Sequence, residues 1–231
     1  MASQVRTNIA FAGLTAAGKT THARRLAQEL GYEYISATQI LLEILEIDHP
    51  PEGVWFAKAK EISQARIGDA ADWELERRLM SIARSRDGIV FDTWALAWIA
   101  DSPIVRIWIE SDEESRDRKC FVSQGERPSL TIEQCRELVY NKDEETRQNF
   151  ARRHNFDLRV DRAHYDLILC NSHLIPNADR DSARAGIEAF APAVFAACTE
   201  FMSVGSLRDE TMTNYSREIL YVGALNQKEV H

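Results

Sequence analysis

The sequence predicts an α/β domain in which a five-stranded parallel sheet is flanked by helices. Two observations carry this. Short apolar runs of strand length recur along the chain, each followed by a segment with helical spacing of its apolar residues. Between the first such run and the first helix lies Gly13-Leu14-Thr15-Ala16-Ala17-Gly18-Lys19-Thr20, a G-x-x-x-x-G-K-T motif in its required strand–loop–helix setting. At 231 residues, with 45% apolar and 28% charged residues, the chain is long enough to bury one substantial core.

The elements follow in order. Asn8 to Ala12 is the first strand, and Ala23, Leu26, Ala27 and Leu30 mark the helix that Gly31 ends. Tyr32 to Ile35 is the second strand. Ser36 or Thr38 caps a helix bearing Ile40, Leu41, Ile44, Leu45 and Ile47, which stops before His49-Pro50-Pro51. A helical segment with Val54, Trp55 and Phe56 follows, then a helix over 70–84 with Ala71, Leu75, Leu79 and Ile82 on one face. Ile89 to Asp92 is the third strand, and 94–99 a short helix or loop. Ile104 to Ile109 is the fourth strand, followed by a charged helix from Ser111 or Asp112 to near Gly125. Thr131-Ile132-Glu133-Gln134 has the form of a capping box and opens a helix to about His154. Tyr165 to Cys170 is the fifth strand, and a helix runs from about Asp179 to Phe201. Residues 203–231 are polar without a clear period, and are expected to form a loosely packed or partner-contacting tail. The expected organisation is one domain over 1–202, with an acceptor-binding insert at about 38–84 and a lid at about 116–154.

The motif is a P-loop and places the chain among P-loop NTPases. Its backbone N–H groups close around phosphate oxygens at the positive end of the following helix. Gly13, Thr15, Ala16, Ala17, Gly18, Lys19, Thr20 and Thr21 are therefore expected to bind ATP, with Lys19 on the β- and γ-phosphates and the Thr20 hydroxyl on Mg²⁺. Asp92 ends an apolar strand, where a carboxylate can hold Mg²⁺ or its water, or deprotonate an acceptor hydroxyl; capping of the next segment is its plainer use. Eleven of the 28 Lys and Arg residues lie between Arg116 and Arg162, in a chain of net charge −8. A lid with cations for the transferred phosphoryl group fits this region, while acidic neighbours such as Asp143, Glu144 and Glu145 make a solvated face of most of it. Trp55, Phe56, Trp73, Trp94 and Trp98 could stack on a planar acceptor or pack the core. Asp72, Glu74 and Glu76 could hydrogen-bond that acceptor.

The acidic balance argues against nucleic-acid polymers and membrane surfaces as partners. No apolar run approaches a membrane span, and residues 1–8 lack a signal segment. Cys120, Cys135, Cys170 and Cys198 are widely spaced, which fits reduced thiols in the cytoplasm. The expected partner is a small-molecule phosphoryl acceptor, and a homodimer is left open.

The residues from Gly13 to Thr21, Leu30 to Ala37, Gly88 to Trp98, Arg106 to Ile109 with Arg116, Lys142 to Phe150, and Tyr165 to Ile168 with Asn171-Ser172 together resemble the cytidylate-kinase-like branch of the nucleoside monophosphate kinases. The resemblance spans about residues 8–175 and implies an ATP- and Mg²⁺-dependent kinase. It implies that Arg116 lies against adenine and that Lys119, Arg147, Arg152 or Arg153 supply lid cations. The chain departs from the family pattern at three places, five residues in all. Thr38 and Leu42 stand where the family has a glycine and an acceptor-gripping arginine, Trp94 stands for the arginine of G-R-L-A-G-W, and Asn149-Phe150 stands for R-Y. Each lost charge-assisted contact to a phosphate costs about 1.5–3 kcal/mol. The acceptor is then a nucleoside, a modified nucleotide or a hydroxylated metabolite, unless Arg24, Arg66, Arg77 or Arg78 replace the missing cations for CMP or dCMP. A non-catalytic ATP-binding protein, or an ATPase using water, are the other function classes.

Overall fold

The computed structural model of the protein describes residues 6–48, 62, 64–66, 68–126 and 128–223. The expected helical segment around Trp55 and Phe56, Arg127 of the basic region and the end of the tail lie outside the described residues. The sheet has the order β2-β3-β1-β4-β5-β6, from strands β1 (Asn8–Ala12), β2 (Glu33–Ser36), β3 (Ile89–Asp92), β4 (Ile104–Glu110), β5 (Leu167–Cys170) and β6 (Ile219–Val222). The first five are mutually parallel, as the sequence predicts. The sixth is antiparallel to β5 and comes from the stretch expected to be a tail. That expectation is corrected over 203–222: α8 (Asp209–Asn214) and β6 follow one another there, and Ile219 is buried in the core.

A parallel sheet covered on both faces needs apolar residues pointing both ways, and β1 is buried throughout. Its Ile9 and Phe11 pack with Leu26 of α1 (Lys19–Leu30) and with Phe190, Val194 and Phe201 of α7 (Arg180–Val204). Its Ala10 and Ala12 face the other layer, where Leu79 of α3 (Ala70–Ser85), Leu96 of α4 (Leu96–Ile99), Phe156 and Tyr165 pack on Trp108. The period-two alternation of a strand thus divides one five-residue run between two cores. By length and composition α7 could cross a membrane, in contrast to the expectation that no run approaches a span. Its alanines raise its apolarity, and its buried face lies on the sheet.

Three further helices frame the carboxyl ends of the strands, where open α/β sheets bind ligands. They are α2 (Ala37–Ile44), α5 (Glu113–Ser123) and α6 (Ile132–His154). The caps form as the sequence predicts. Asp112 Oδ1 accepts from Ser115 N–H at 2.7 Å, and Thr131 and Gln134 complete a reciprocal capping box. Helices α5 and α6 form an antiparallel hairpin over the end of the sheet, closed by the buried Cys120, Cys135 and Val139.

Candidate active site

The loop leaving β1 turns sharply because Gly13 has φ +148°, and a Cβ there would meet the Ile109 carbonyl oxygen at 2.7 Å. Only glycine fits that approach. Gly18, at φ +96°, aims the first turn of α1 back at the loop. The structure brings Lys19, Thr20 and Asp92 together here. Thr20 Oγ1 donates to Asp92 Oδ2 at 2.5 Å, and the Tyr34 hydroxyl donates to the same oxygen at 3.0 Å. Asp92 therefore points at the P-loop. Tyr34, on the neighbouring strand, holds it there, and burial followed by the Asp92 charge raises that phenol above its ordinary range.

Lys19 Nζ donates to the carbonyls of Gly13 and Leu14 at 2.7 and 2.9 Å and lies 4.8 Å from the centre of the Trp94 ring. Burial lowers its pKa to about 8, against the opposing charges of Asp92 and Asp143. Thr15 N–H, an amide of the phosphate loop, donates to Asp143 Oδ1 at 2.8 Å. Asp143 also pairs with Arg116, whose guanidinium reaches the Thr15 carbonyl as well. Arg116 and Asp143 are both almost fully buried.

A cavity of about 430 Å³ opens over this loop. Thr15, Ala16, Gly18, Lys19, Thr20 and Thr21 line one end with Asp92 and Lys142, and Leu174, Ile175, Ala183 and Ile187 form an apolar slot at the other. Lys119 stands between, bonded to Ser111 Oγ at 2.7 Å and Asn171 Oδ1 at 2.5 Å, and burial lowers its pKa to about 7. Asn171 Nδ2 in turn donates to the Ala17 carbonyl and braces the loop. His22 lines the same cavity edge-on to Phe190, kept neutral by burial that lowers its pKa to about 4.

The donor atoms suit a nucleoside triphosphate with a divalent cation. Thr15 Oγ1 is buried with no partner, and Thr20 and Asp92 present paired hard oxygens. Mg²⁺ takes one or two protein carboxylates beside phosphate oxygens, so a pair suffices where no larger cluster of metal-binding side chains exists among the described residues. Thr20 would hold the ion directly and Asp92 through its water.

Other expected site residues are placed differently. Arg116 is engaged by Asp143 and the Thr15 carbonyl and is almost fully buried beside the phosphate loop. Arg147 is drawn away from the cavity by Glu144, at 2.6 Å, and by Asp157. Arg152 is exposed and pairs with Asp69. Arg153 lies in a second cavity of about 80 Å³, bonded to Asp72 and Glu76. Arg66 lines that cavity too, whereas Arg77 and Arg78 pair with Glu74 on a solvated face and Arg24 lies over the Tyr34 ring. Trp94 lines both cavities; Trp98 stacks on Phe156 in the core and Trp73 is half exposed.

Lys142, one of the eleven basic residues of the expected lid region but not singled out among them, lines both cavities and is held well below the ordinary lysine range by burial and then by Lys19. The stretch Lys142 to Phe150 carried part of the family resemblance, and that was its available signal.

A sequence model of the Cytidylate kinase-like family matches residues 8–173. A cytidylate kinase of Natronomonas pharaonis is 29% identical over 189 residues, covering 80% of this chain and 91% of that protein. A cytidylate kinase of Haloquadratum walsbyi is 26% identical over 186 residues, with coverage of 80% and 91%. Among solved structures, a shikimate kinase from Bacteroides thetaiotaomicron aligns with a TM-score of 0.48 at 16% identity, over 80% of this chain and 97% of that one. A gluconokinase from Sinorhizobium meliloti 1021 aligns with a TM-score of 0.48 at 14% identity, over 88% and 99%. The match spans the P-loop, the Asp92 strand and the α5–α6 hairpin, and this chain is a kinase that belongs to the cytidylate kinase-like family.

Proposed function

We propose that the protein transfers the γ-phosphoryl group of ATP, with Mg²⁺, to an oxygen of a small-molecule acceptor seated in the smaller cavity. The observation that carries this reading is the convergence of Lys19, Thr20 and Asp92 in the larger cavity, whose wall at Thr38, Trp94 and Lys142 is shared with the smaller one. Bound ATP supplies the phosphoryl group, and Mg²⁺ offsets the charge that develops on it.

The loop amides and Lys19 orient the phosphates. Lys142 and Lys119 line the cavity where a bound polyphosphate would favour their charged forms, and so charged they stabilise the moving group once water is excluded. Asp92, fixed by Thr20 and Tyr34, receives any proton that the acceptor oxygen carries. The acceptor oxygen forms its bond to the γ-phosphorus as the bond from that phosphorus to the bridging oxygen breaks, and ADP leaves. The α5–α6 hairpin closes the cavity roof through Lys119 and Val122 on one side and Lys142 on the other.

A cytoplasmic enzyme acting on a small molecule rather than a polymer fits the net charge of −8 and the four free cysteines. The test is ADP release from ATP and Mg²⁺ with a panel of CMP, dCMP, other monophosphates, nucleosides and hydroxylated metabolites, beside a Lys19→Ala control. Acceptor-dependent ADP release that the control lacks is the expected result. Silence across the panel with ATP still bound would overturn the reading in favour of a non-catalytic nucleotide-binding role.

A further inference from the structure

The smaller cavity lies against the larger one and shares Ala37, Thr38, Trp94 and Lys142 with it. Of the arginines open as acceptor cations from the sequence, Arg24 lies over the Tyr34 ring, and Arg77 and Arg78 pair with Glu74. Arg66 lines the cavity, and Arg153 joins it from the end of α6. Carboxylates hold both arginines by their η nitrogens. Arg66 Nη2 donates to Asp72, while Arg153 Nη1 donates to Asp72 Oδ2 at 2.9 Å and its Nη2 to Glu76 Oε1 at 3.2 Å. The ε nitrogens are left over. Both are buried, and neither has a hydrogen-bond partner among the described residues. A guanidinium offers five N–H donors and no acceptor, so only a ligand bearing acceptor atoms can satisfy them.

From this arrangement, and resting on the reading that the smaller cavity takes the acceptor, we propose that Arg66 and Arg153 hold a phosphate of the acceptor through their ε N–H groups. The pair supplies the acceptor-side cations that Leu42 and Trp94 do not. A donor buried without a partner costs free energy, and a phosphate oxygen recovers it through a charge-assisted bond. Asp72 and Glu76 need not let go. They stay on the η nitrogens and fix both guanidiniums before the ligand arrives, which lowers the ordering cost of binding. Arg66, Arg153 and Lys142 line the cavity against two carboxylates, so an anion completes its charge balance. Burial and then Lys19 hold Lys142 low, Arg66 adds to them, and an anion beside these cations relieves the repulsion. The other Glu76 oxygen, Oε2, is buried without a partner among the described residues and is left for an O–H or N–H of the acceptor's unphosphorylated part. The attacking oxygen is one of the held phosphate's own. It bonds to the γ-phosphorus as the bridging bond breaks, ADP keeps the bonding electrons, and the acceptor leaves as a diphosphate.

The test is calorimetry on the full chain with Mg²⁺ and a non-hydrolysable ATP analogue already bound, titrating CMP, dCMP, UMP and AMP, each beside its own nucleoside. The monophosphate that binds tightest should exceed its nucleoside by about tenfold or more. Arg66→Met should weaken that monophosphate by about tenfold or more, and Asp72 keeps Arg153 as its partner in this variant. Arg153→Met made with Glu76→Gln should do the same relative to Glu76→Gln alone, and spares Glu76 an unpaired buried charge. Retained binding of the ATP analogue reports that each variant is folded. Arg77→Met removes the same charge from a solvated face and should change monophosphate affinity less than about threefold. A smaller loss in either folded arginine variant would overturn the proposal, as would a wild type that binds none of the four monophosphates or binds them no better than their nucleosides. Failure of the kinase reading shows separately, as absent ADP release with every acceptor.

Discussion

Nucleotide binding should draw protons from solution at mildly alkaline pH, and Lys19 and Lys119 set the least it takes up, to which Lys142 can add. Burial lowers Lys19 to about 8 and Lys119 to about 7 in the free protein. A polyphosphate beside them favours their charged forms and returns both toward the ordinary lysine range. The complex then holds more protons than the free protein, so uptake is positive and affinity falls as pH rises. At pH 8 the free protein carries Lys19 about half protonated and Lys119 about one-tenth protonated, so binding should take up at least about 1.4 protons per nucleotide. At pH 6 both are already charged and their uptake should fall to about 0.1. Integrated from pH 6 to pH 9, this linkage lowers nucleotide affinity by about three decades. Calorimetry with a non-hydrolysable ATP analogue and Mg²⁺, repeated in buffers of different ionisation enthalpy, reads the uptake directly. Lys119→Met should reduce it by about 0.9 at pH 8. An uptake below about 0.3 at pH 8 in the wild type would refute the argument, because both lysines would then be charged before the nucleotide arrives.

Other substitutions probe the same site. Lys19→Ala should lower kcat with the best acceptor by about 10²–10³-fold while leaving the melting curve near that of wild type, since it removes a donor to the moving phosphoryl group. Asp143→Ala strands a buried guanidinium and the Thr15 amide, and should cost about 3–5 kcal/mol in urea unfolding; a loss under about 1 kcal/mol would show that the Arg116 pair is not held as described. Replacing both partners, as Asp143→Leu with Arg116→Met, should recover most of that loss. Gly186→Ala would set a Cβ 2.6 Å from both Ile175 Cγ1 and the Leu174 carbonyl oxygen. Because Leu174 and Ile175 line the apolar slot, the KM for ATP should rise about tenfold or more with kcat little changed, and an unaltered KM would remove the slot from nucleotide binding.

What could be read from the chain depended on the distance over which each signal acts. The P-loop is contiguous, and its glycine spacing encodes the turn directly, so Gly13 through Thr21 needed no tertiary information. Asp92 was legible because an apolar run ending in a carboxylate stays at the end of its strand. The capping box at Thr131 is likewise a four-residue device. Asp143 was read as a surface partner for basic neighbours, and only the folding of α6 over the loop carries it 128 residues back to Thr15. The family resemblance implied Arg116 at the base and Arg147 among the lid cations, and in the structure carboxylates engage both guanidiniums. Strand β6 escaped notice because Ile219-Leu220-Tyr221-Val222 is only four residues long and sends two large apolar side chains to solvent, so no half-buried alternation marks it.

The bond between Thr15 and Asp143 makes the phosphate loop its own ligand. An amide that a triphosphate would use is already satisfied by a carboxylate of the same chain, and Lys19 is satisfied by two loop carbonyls. An incoming anion therefore exchanges hydrogen bonds rather than adding them, and its affinity falls short of what the donors alone would give. The competitor is tethered, so its local concentration does not change when the protein is diluted. It also sits on α6, which stays tied to α5 through the Asp143–Arg116 pair. Loading should therefore displace Asp143 from the Thr15 amide and the two loop carbonyls from Lys19, and slower ADP dissociation from Asp143→Asn in stopped flow is the measurement that reads the first of these.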